Sequence, residues 1–195
     1  MKRFISVILC ASFAFAAASC GSAKETFNST IIDSVQTTVE TEKETVKDND
    51  GGNTGSGLTF STADRNGKTY DESIFKDCKV TMINFWEPWC GPCVGEIPDL
   101  EKLYEEFKDE DFQIIGVYSE TEMEDEVDEI LSSSGVTYPI LRYTSEFDQF
   151  DSGYVPTTVF IDSDGNVLTL SNGEDNFVGS RSFEEWAELV RFFLK

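Results

Sequence analysis

The feature that most constrains this chain is a pair of cysteines placed between an apolar run and a stretch with helical spacing. The run Val80–Phe85 has the length of a buried strand, and Cys90 and Cys93 follow it in a C-x-x-C arrangement. Residues 98–107 then place apolar side chains three and four positions apart, which predicts a helix. A C-x-x-C pair between a strand and a helix is typical of a redox site.

The position of the pair predicts a different role for each cysteine. Cys90 is expected at the N-terminus of the helix, where unpaired N–H groups and the helix dipole favour a thiolate. Cys93 is expected one turn later, within bonding reach but more shielded. These positions predict that Cys90 attacks a partner disulfide and that Cys93 resolves the mixed disulfide.

Two other interpretations of the cysteine pair have to be weighed. A zinc site needs four ligands, but beyond residue 57 the chain offers only Cys78 besides the pair, and it contains no His. A purely structural disulfide that closes so small a loop would add little stability. Redox chemistry is therefore favoured, with no metal and no cofactor expected. The absence of His also excludes Ser-His-Asp and His-metal chemistry.

The N-terminal part of the chain is predicted to serve export. Residues 1–19 combine two basic residues with a short apolar run and small residues at the end, the pattern of a signal peptide. Residues 20–57 are rich in Thr, Ser, Glu, Asn and Gly, which predicts a disordered tether. The folded domain is expected over residues 58–195, outside the cytoplasm.

The charge of the chain limits its partners. Thirty-seven acidic residues and fifteen basic residues give a net charge of -22. Such a surface repels phosphate backbones, so nucleic acid is not an expected partner. It favours solubility or cationic partners.

Strand and helix signals alternate along the domain. Strands are predicted at Leu58–Phe60, Lys68–Tyr70, Val80–Phe85, Phe112–Tyr118, Tyr138–Tyr143, Thr157–Ile161 and Val167–Leu170. Helices are predicted over residues 98–107, after a capping box of Thr121 and Glu124, and after a capping box of Ser182 and Glu185. Turn residues at 66–67 and 162–166 predict two hairpins. The order predicts an α/β fold with a central mixed β-sheet, helices on both faces, an N-terminal hairpin and an inserted helix.

At this point the sequence resembles a known superfamily. The run F-W-E-P-W-C-G-P-C at residues 85–93 resembles the thioredoxin active site, and residues 58–195 are similar to the TlpA-like and ResA-like thiol-disulfide oxidoreductases. Pro98 coincides with the proline that kinks the active-site helix of thioredoxins, and the helix after Thr121 is similar to the helix inserted in TlpA-like proteins. The resemblance implies a thioredoxin-like fold.

The resemblance also implies a direction of reaction. Cys90 and Cys93 would form the redox-active disulfide, in an active-site loop shared with Trp89, Gly91 and Pro92. The Gly-Pro pair between the cysteines is that of reducing thioredoxins, whereas strongly oxidising relatives carry a His there. A reductase is therefore expected.

A second loop is expected to bind substrate. Val155 and Pro156 match the cis-proline loop that lies against the cysteines and pairs with the substrate backbone, although Pro156 could also be an ordinary turn residue before a strand. Trp86 and Trp89 are candidates for the walls of a substrate groove, with a core position as the alternative for Trp86.

Two departures from thioredoxin concern proton transfer. Asn84 replaces the buried acid of thioredoxin and cannot accept a proton. Glu96, three residues after Cys93, is similar to the glutamate that tunes the cysteines of TlpA-like reductases, with an exposed helix carboxylate as the alternative. Cys78 is left over and is interpreted as a small, partly buried residue without a role, with glutathionylation or a disulfide to a partner as the alternative.

Residues 17–21, A-A-S-C-G, resemble the end of a bacterial lipoprotein signal, in which Cys20 would be lipidated. Ala17 departs from that pattern, where Leu is usual, and plain secretion is the alternative. The resemblance implies a lipid anchor in the bacterial cell membrane, a membrane thiol-disulfide electron donor, exported protein disulfides as substrates and a role in cell redox homeostasis.

Other functions remain open. A thiol oxidase or isomerase of exported proteins would use the same site. A thiol peroxidase is disfavoured because the peroxidatic Thr-x-x-x-Cys arrangement is missing. A non-catalytic binding module would keep the disulfide only to hold a loop.

Overall fold

The computed structural model describes residues 57–195. The predicted signal peptide, the predicted lipidation site Cys20 and the predicted tether, apart from Gly57, lie outside the described residues. Within residues 57–195, no helix combines the length and the apolar composition that crossing a membrane requires.

The described residues form a regular succession of elements. The strands are β1 (Ser61–Ala63), β2 (Thr69–Asp71), β3 (Val80–Phe85), β4 (Phe112–Tyr118), β5 (Ile140–Arg142), β6 (Thr157–Asp162) and β7 (Asn176–Val178). The α-helices are α1 (Gly91–Phe107), α2 (Glu124–Ser134) and α3 (Phe183–Phe193). Short 3-10 helices span Glu72–Asp77, Thr121–Met123 and Ser145–Phe150.

Five strands form one mixed sheet in the order β5-β4-β3-β6-β7. β3 and β4 are parallel because α1 carries the chain back between them, and β5 is parallel to β4. β6 runs antiparallel to β3, with Thr157 opposite Phe85, and β7 runs antiparallel to β6. The residues after β3, the residues after β4 and the residues before β6 therefore meet at one edge of the sheet.

Side chains alternate between the two faces of β3. Val80 and Met82 belong to a core cluster that also contains Leu100 of α1, Val127 of α2 and Trp186 of α3. All three α-helices therefore pack on this face.

The opposite face of the sheet packs against different elements. Phe85 packs in a second core cluster with Phe75 and Phe147, which belong to the 3-10 helices Glu72–Asp77 and Ser145–Phe150. The predicted α/β fold with helices on both faces of a mixed sheet is confirmed, with short 3-10 helices on the second face.

The N-terminal hairpin is confirmed, but its first strand lies further along the chain than predicted. β1 and β2 form a separate antiparallel pair. The predicted Leu58–Phe60 strand is wrong, because these residues form no strand in the structure. Leu58 and Phe60 are instead buried in the second core cluster, and the Leu58 N–H donates to the carbonyl of Gly165 at 2.7 Å. Burial of these side chains, rather than strand pairing, fixes this segment.

The predicted Val167–Leu170 strand is also wrong. Val167 forms only an isolated bridge with Ile161, and the rest of that range forms no strand. The Leu170 N–H donates to the carbonyl of Glu174 at 2.7 Å, which closes a turn at the end of this segment. The strand that pairs with β6 is β7, further along the chain.

Helix α2 begins without the predicted capping box. Thr121 lies in a 3-10 turn, and the N-cap residue Met123 makes no side-chain capping hydrogen bond. The carboxylate of Glu124 instead accepts hydrogen bonds from Arg142 Nε at 2.7 Å and from the Tyr118 hydroxyl at 3.0 Å. These contacts to β4 and β5 hold the start of α2.

The capping box at the start of α3 is confirmed. The Glu185 N–H donates to Ser182 Oγ at 3.4 Å, and the Ser182 N–H donates to the carboxylate of Glu185 at 2.9 Å. Because α3 buries Trp186 and Val190, it holds the segment before it against α1.

Candidate active site

Cys90 and Cys93 lie at the sheet edge where β3 and β4 end. The structure joins them in a disulfide with an S–S distance of 2.09 Å. Cys90 is the N-cap of α1, and the Cys93 N–H donates to Cys90 Sγ at 3.2 Å. In the reduced pair this N–H and the helix dipole favour a thiolate on Cys90. Cys93 is 0 % exposed and Cys90 is 6 % exposed, so Cys90 is the sulfur that a partner can reach.

The two residues between the cysteines serve the site in different ways. Pro92 lies in the first turn of α1, where its fixed φ suits the helix and its missing N–H is not needed. A Cβ atom on Gly91 would have no atom within 4 Å, so this position is open to solvent space and the glycine adds no side chain beside Cys90. Pro98 lies inside α1, at the predicted position.

Glu87 holds the turn that precedes the helix. Its carbonyl accepts a hydrogen bond from the Cys90 N–H at 3.0 Å. Its buried carboxylate accepts hydrogen bonds from the N–H groups of Ser119 and Glu120 at 2.9 and 3.0 Å, and from the Ser119 hydroxyl. Glu87 thus ties the active-site turn to the segment after β4. Sequence reasoning missed this residue, whose local signal is an acid in an otherwise uncharged run.

The two tryptophans near the site differ in position. Trp86 is buried and packs against Tyr118, with 6.1 Å between the ring centroids. The close approach of Trp86 Nε1 and Ile140 explains why Gly116 carries no side chain. Trp89, by contrast, is 61 % exposed. Trp86 is therefore a core residue, while Trp89 presents its ring to solvent next to Cys90.

The loop before β6 faces the disulfide. The Val155–Pro156 peptide bond is cis, Pro156 is buried, and the carbonyl oxygen of Val155 lies 3.6 Å from Cys90 Sγ. The Pro156 carbonyl accepts a hydrogen bond from the Gly179 N–H at 2.8 Å, which fixes the loop to the segment after β7. The predicted cis-proline residues and the predicted cysteines therefore meet in space.

Glu96 lies in α1, three residues after Cys93, and is only 4 % exposed, which excludes the alternative of an exposed helix carboxylate. Its Oε1 accepts a hydrogen bond from Asn84 Nδ2 at 3.1 Å. Its Oε2 accepts hydrogen bonds from the Arg181 N–H at 3.1 Å and from Trp186 Nε1 at 3.4 Å. Asn84 also donates to Thr158 Oγ1 at 3.0 Å, so the carboxylate is held from β3, α3 and the loop before α3.

Burial raises the pKa of Glu96 above its ordinary value. The hydrogen bonds from Arg181, Asn84 and Trp186, and the charge of Arg181, oppose this shift but do not cancel it. A carboxyl group with a raised pKa can hold a proton closer to neutral pH than an exposed one. It is therefore suited to proton exchange with a neighbouring thiol.

Cys78 lies at the other end of β3, away from the disulfide. It is the free cysteine of the described range and is half-buried. Burial, together with the charges of Asp77 and Asp111, raises the pKa of its thiol. Within residues 57–195, no group of three or more Cys, Asp or Glu side chains is arranged to hold a metal ion.

A mixed sheet, a C-x-x-C disulfide at a helix N-terminus and a cis-proline loop against it define a thioredoxin-fold protein with a paired-cysteine site. A family model described as Redoxin matches residues 45–182. The chain belongs to the Redoxin family, and the resemblance to the ResA-like and TlpA-like branch of the thioredoxin superfamily is confirmed.

Two relatives in sequence are both named thiol-disulfide oxidoreductase ResA. The protein from Bacillus subtilis (strain 168) is 33% identical over 116 residues, which cover 58% of this chain and 64% of the relative. The protein from Halalkalibacterium halodurans is 30% identical over 115 residues, which cover 58% of this chain and 63% of the relative. The chain thus spans less than two thirds of the length of these curated relatives.

Solved structures show the same fold. A thiol:disulfide interchange protein from Chlorobium tepidum TLS has a TM-score of 0.61 and 26% identity, and the match covers 71% of this chain and 95% of that one. StoA from Bacillus subtilis has a TM-score of 0.54 and 18% identity, and the match covers 68% of this chain and 96% of that one. At that identity the StoA match shows the fold alone.

Proposed function

We propose that this protein is a thiol-disulfide oxidoreductase that reduces disulfides of exported proteins through Cys90 and Cys93. The observation that carries the proposal is the disulfide at the N-terminus of α1, with the Val155 carbonyl 3.6 Å from Cys90 Sγ. The names of the ResA relatives support the same activity.

The reaction consists of two thiol-disulfide exchanges. The Cys90 thiolate attacks one sulfur of the substrate disulfide, whose S–S bond breaks, and the leaving thiolate takes a proton from water. The Cys93 thiol then loses its proton and attacks the Cys90 sulfur, which releases the second substrate thiol and forms the Cys90–Cys93 disulfide. The substrate gains two electrons from the protein and two protons from solvent, while the protein loses the two electrons and the proton of Cys93.

The second exchange needs an acceptor for the proton of Cys93, which is fully buried. Glu96 lies one helical turn further along α1, on the same face, and is buried as well. In the proposed mechanism its carboxylate accepts the Cys93 proton during resolution and later returns it to solvent. The raised pKa of Glu96 supports this role.

Val155 and Pro156 are proposed to bind the substrate backbone. The Val155 carbonyl faces the sulfur that forms the mixed disulfide, so a substrate strand in this position would lie along the loop. Trp89, Gly91 and Pro92 complete the loop that presents Cys90.

The direction of electron flow is proposed from the residues between the cysteines. Gly91 and Pro92 are the pair of reducing thioredoxins, and no His stabilises the thiolate further. A membrane thiol-disulfide protein is the proposed electron donor. The opposite direction, oxidation or isomerisation of exported proteins, uses the same atoms and is distinguished by the reduction potential.

The location is proposed from the N-terminal sequence. Residues 1–19 support export, Cys20 supports a lipid anchor in the bacterial cell membrane, and residues 20–57 would tether the domain of residues 58–195 to that membrane.

The test is the reduction of insulin by dithiothreitol, with and without the full chain. The wild-type protein and Cys78→Ser are expected to accelerate the reaction, while Cys90→Ser is expected to be inactive. Cys93→Ser, once reduced and freed of dithiothreitol, is expected to accumulate a covalent complex with insulin, because no thiol is then present to resolve the mixed disulfide. Equal rates with and without the wild-type protein would refute the enzyme and favour the non-catalytic module.

A further inference from the structure

A cavity of about 290 Å³ opens beside the disulfide, at the same edge of the sheet. Its walls include five aromatic side chains, Phe85, Trp86, Tyr143, Phe150 and Tyr154. Among these lining residues Tyr154 is 72 % exposed. Aromatic faces of this kind pack against apolar stems and attract cations.

The cavity shares its walls with both segments that hold Cys90. Val155 lines it, and the carbonyl of Val155 lies 3.6 Å from Cys90 Sγ. Glu87 lines it as well, and the carbonyl of Glu87 accepts a hydrogen bond from the Cys90 N–H at 3.0 Å. Since residues of an extended peptide follow one another at about 3.3 Å, a residue adjacent to the substrate cysteine can reach the cavity.

The charged residues that line the cavity are all acidic. They are Glu87, Asp148 and Asp151, and among the described lining residues none is Lys or Arg. The Glu87 carboxylate already accepts hydrogen bonds from the segment after β4. Asp148 and Asp151 are exposed, and for each the structure shows one carboxylate oxygen accepting a hydrogen bond, from the Tyr143 hydroxyl at 3.1 Å and from the Gly153 N–H at 2.8 Å.

Tyr143 is a further lining residue and lies beside these two carboxylates. Burial, the hydrogen bond to Asp148, and the charges of Asp148 and Asp151 together raise the pKa of the Tyr143 phenol to about 12. The phenol therefore stays protonated near neutral pH and keeps donating to Asp148.

We propose that this cavity binds a Lys or Arg side chain that lies next to the disulfide cysteine of a substrate protein. The inference rests on the proposed function and specifies its substrate class. The basic stem would pack on the aromatic walls while its cationic end meets Asp148 and Asp151, which matches the sign of the charge.

The test uses two synthetic peptide disulfides that differ only in the residue beside the cysteine, Lys in one and Glu in the other. The reduced full chain is expected to reduce the Lys peptide about ten times faster at low salt. The double variant Asp148→Asn, Asp151→Asn keeps oxygens that can accept the hydrogen bonds from Tyr143 and Gly153, and it is expected to lower the ratio of the two rates at least about three-fold.

The matched control is Asp109→Asn, Glu110→Gln, which removes the same charge at exposed positions beyond the far end of α1. This variant is expected to keep the wild-type ratio. Equal ratios in the two double variants would mean that the whole acidic surface steers the peptides, and would overturn the inference. Equal rates for both peptides with the wild type would overturn it while the proposed function stands. If neither peptide is reduced, both fall.

Discussion

The two ends of strand β3 each lead to a cysteine, and the two cysteines differ in their surroundings. After the strand, Cys90 caps α1 and the N–H of Cys93 points at its sulfur. Before the strand, Cys78 lies near the carboxylates of Asp77 and Asp111, which together with burial raise the pKa of its thiol. Cys78 is nevertheless the more exposed of the two. We therefore expect the direction of backbone donors and the sign of nearby charge to outweigh exposure in setting the reactivity of these two thiols.

The largest effect expected from this comparison is on alkylation. In the reduced protein at neutral pH, Cys90 should react with iodoacetamide at least about 100 times faster than Cys78, because only Cys90 has its thiolate favoured by a helix N-terminus. Peptide mapping of time-resolved alkylation gives both rates in one sample. Equal alkylation rates for Cys90 and Cys78 would contradict the expected difference between the two thiols.

The next-largest effect concerns the hydrogen bonds that the Glu87 carboxylate accepts from the segment after β4. In Glu87→Ala the N–H groups of Ser119 and Glu120 lose their acceptor, which should lower the free energy of unfolding by about 2 kcal/mol. Urea unfolding measures the loss. Glu122→Ala, an exposed change of equal charge close by, should cost less than about 0.5 kcal/mol.

Glu87→Ala should also slow the first exchange about ten-fold, since the turn that positions Cys90 loses its anchor. Cys93→Ser in the same background isolates that step as the rate of mixed-disulfide formation. A variant that is less stable but attacks at the wild-type rate would limit Glu87 to a structural role.

Glu96→Gln should change how activity depends on pH. The resolution step of the wild type is expected to speed up as pH rises through the raised pKa of Glu96, because the carboxylate then becomes a proton acceptor. The Gln variant should lack this rise and resolve about ten times more slowly above it. Rapid-quench measurement of the mixed disulfide gives the profile, and two identical profiles would remove Glu96 from the mechanism.

The same residue should affect stability with a predictable sign. The folded-state pKa of Glu96 lies above its unfolded value, so the wild type is most favoured below the unfolded pKa and loses that contribution as pH rises through the folded pKa. Glu96→Gln has no such loss. The free energy of unfolding of the variant, relative to wild type, should therefore increase from pH 4 to pH 8, as measured by urea unfolding.

The smallest effect concerns Cys78, before the start of β3. Asp111→Asn removes one of the charges that raise the pKa of the Cys78 thiol, and Asn tolerates the positive φ of 59° at this position. Alkylation of Cys78 should then become about two to three times faster at neutral pH. No change would leave burial and the charge of Asp77 as the causes of the raised pKa of Cys78.

Much of the fold could be predicted from local pattern. β3 and β4 have the predicted bounds because both are mostly apolar runs that are buried on two faces. The failures depend on contacts distant in the chain. Val167–Leu170 has the composition of a strand, but the segment ends in a turn closed by the hydrogen bond between Leu170 and Glu174 and does not form a strand.

The candidate site also contains residues that local motifs predict and residues that depend on contacts distant in the chain. Cys90, Cys93, Val155 and Pro156 could be predicted because they belong to short motifs. Glu87 could not, since its partners lie 32 and 33 residues further along the chain and no spacing rule connects them.

The most direct test of the account is the reduction potential of the Cys90–Cys93 pair, measured in the Cys78→Ser variant against a glutathione or dithiothreitol buffer. A reductase with a Gly-Pro pair should give a value below about -240 mV, near that of thioredoxin. A value above about -180 mV would contradict the account and make the protein an oxidant or isomerase of exported proteins.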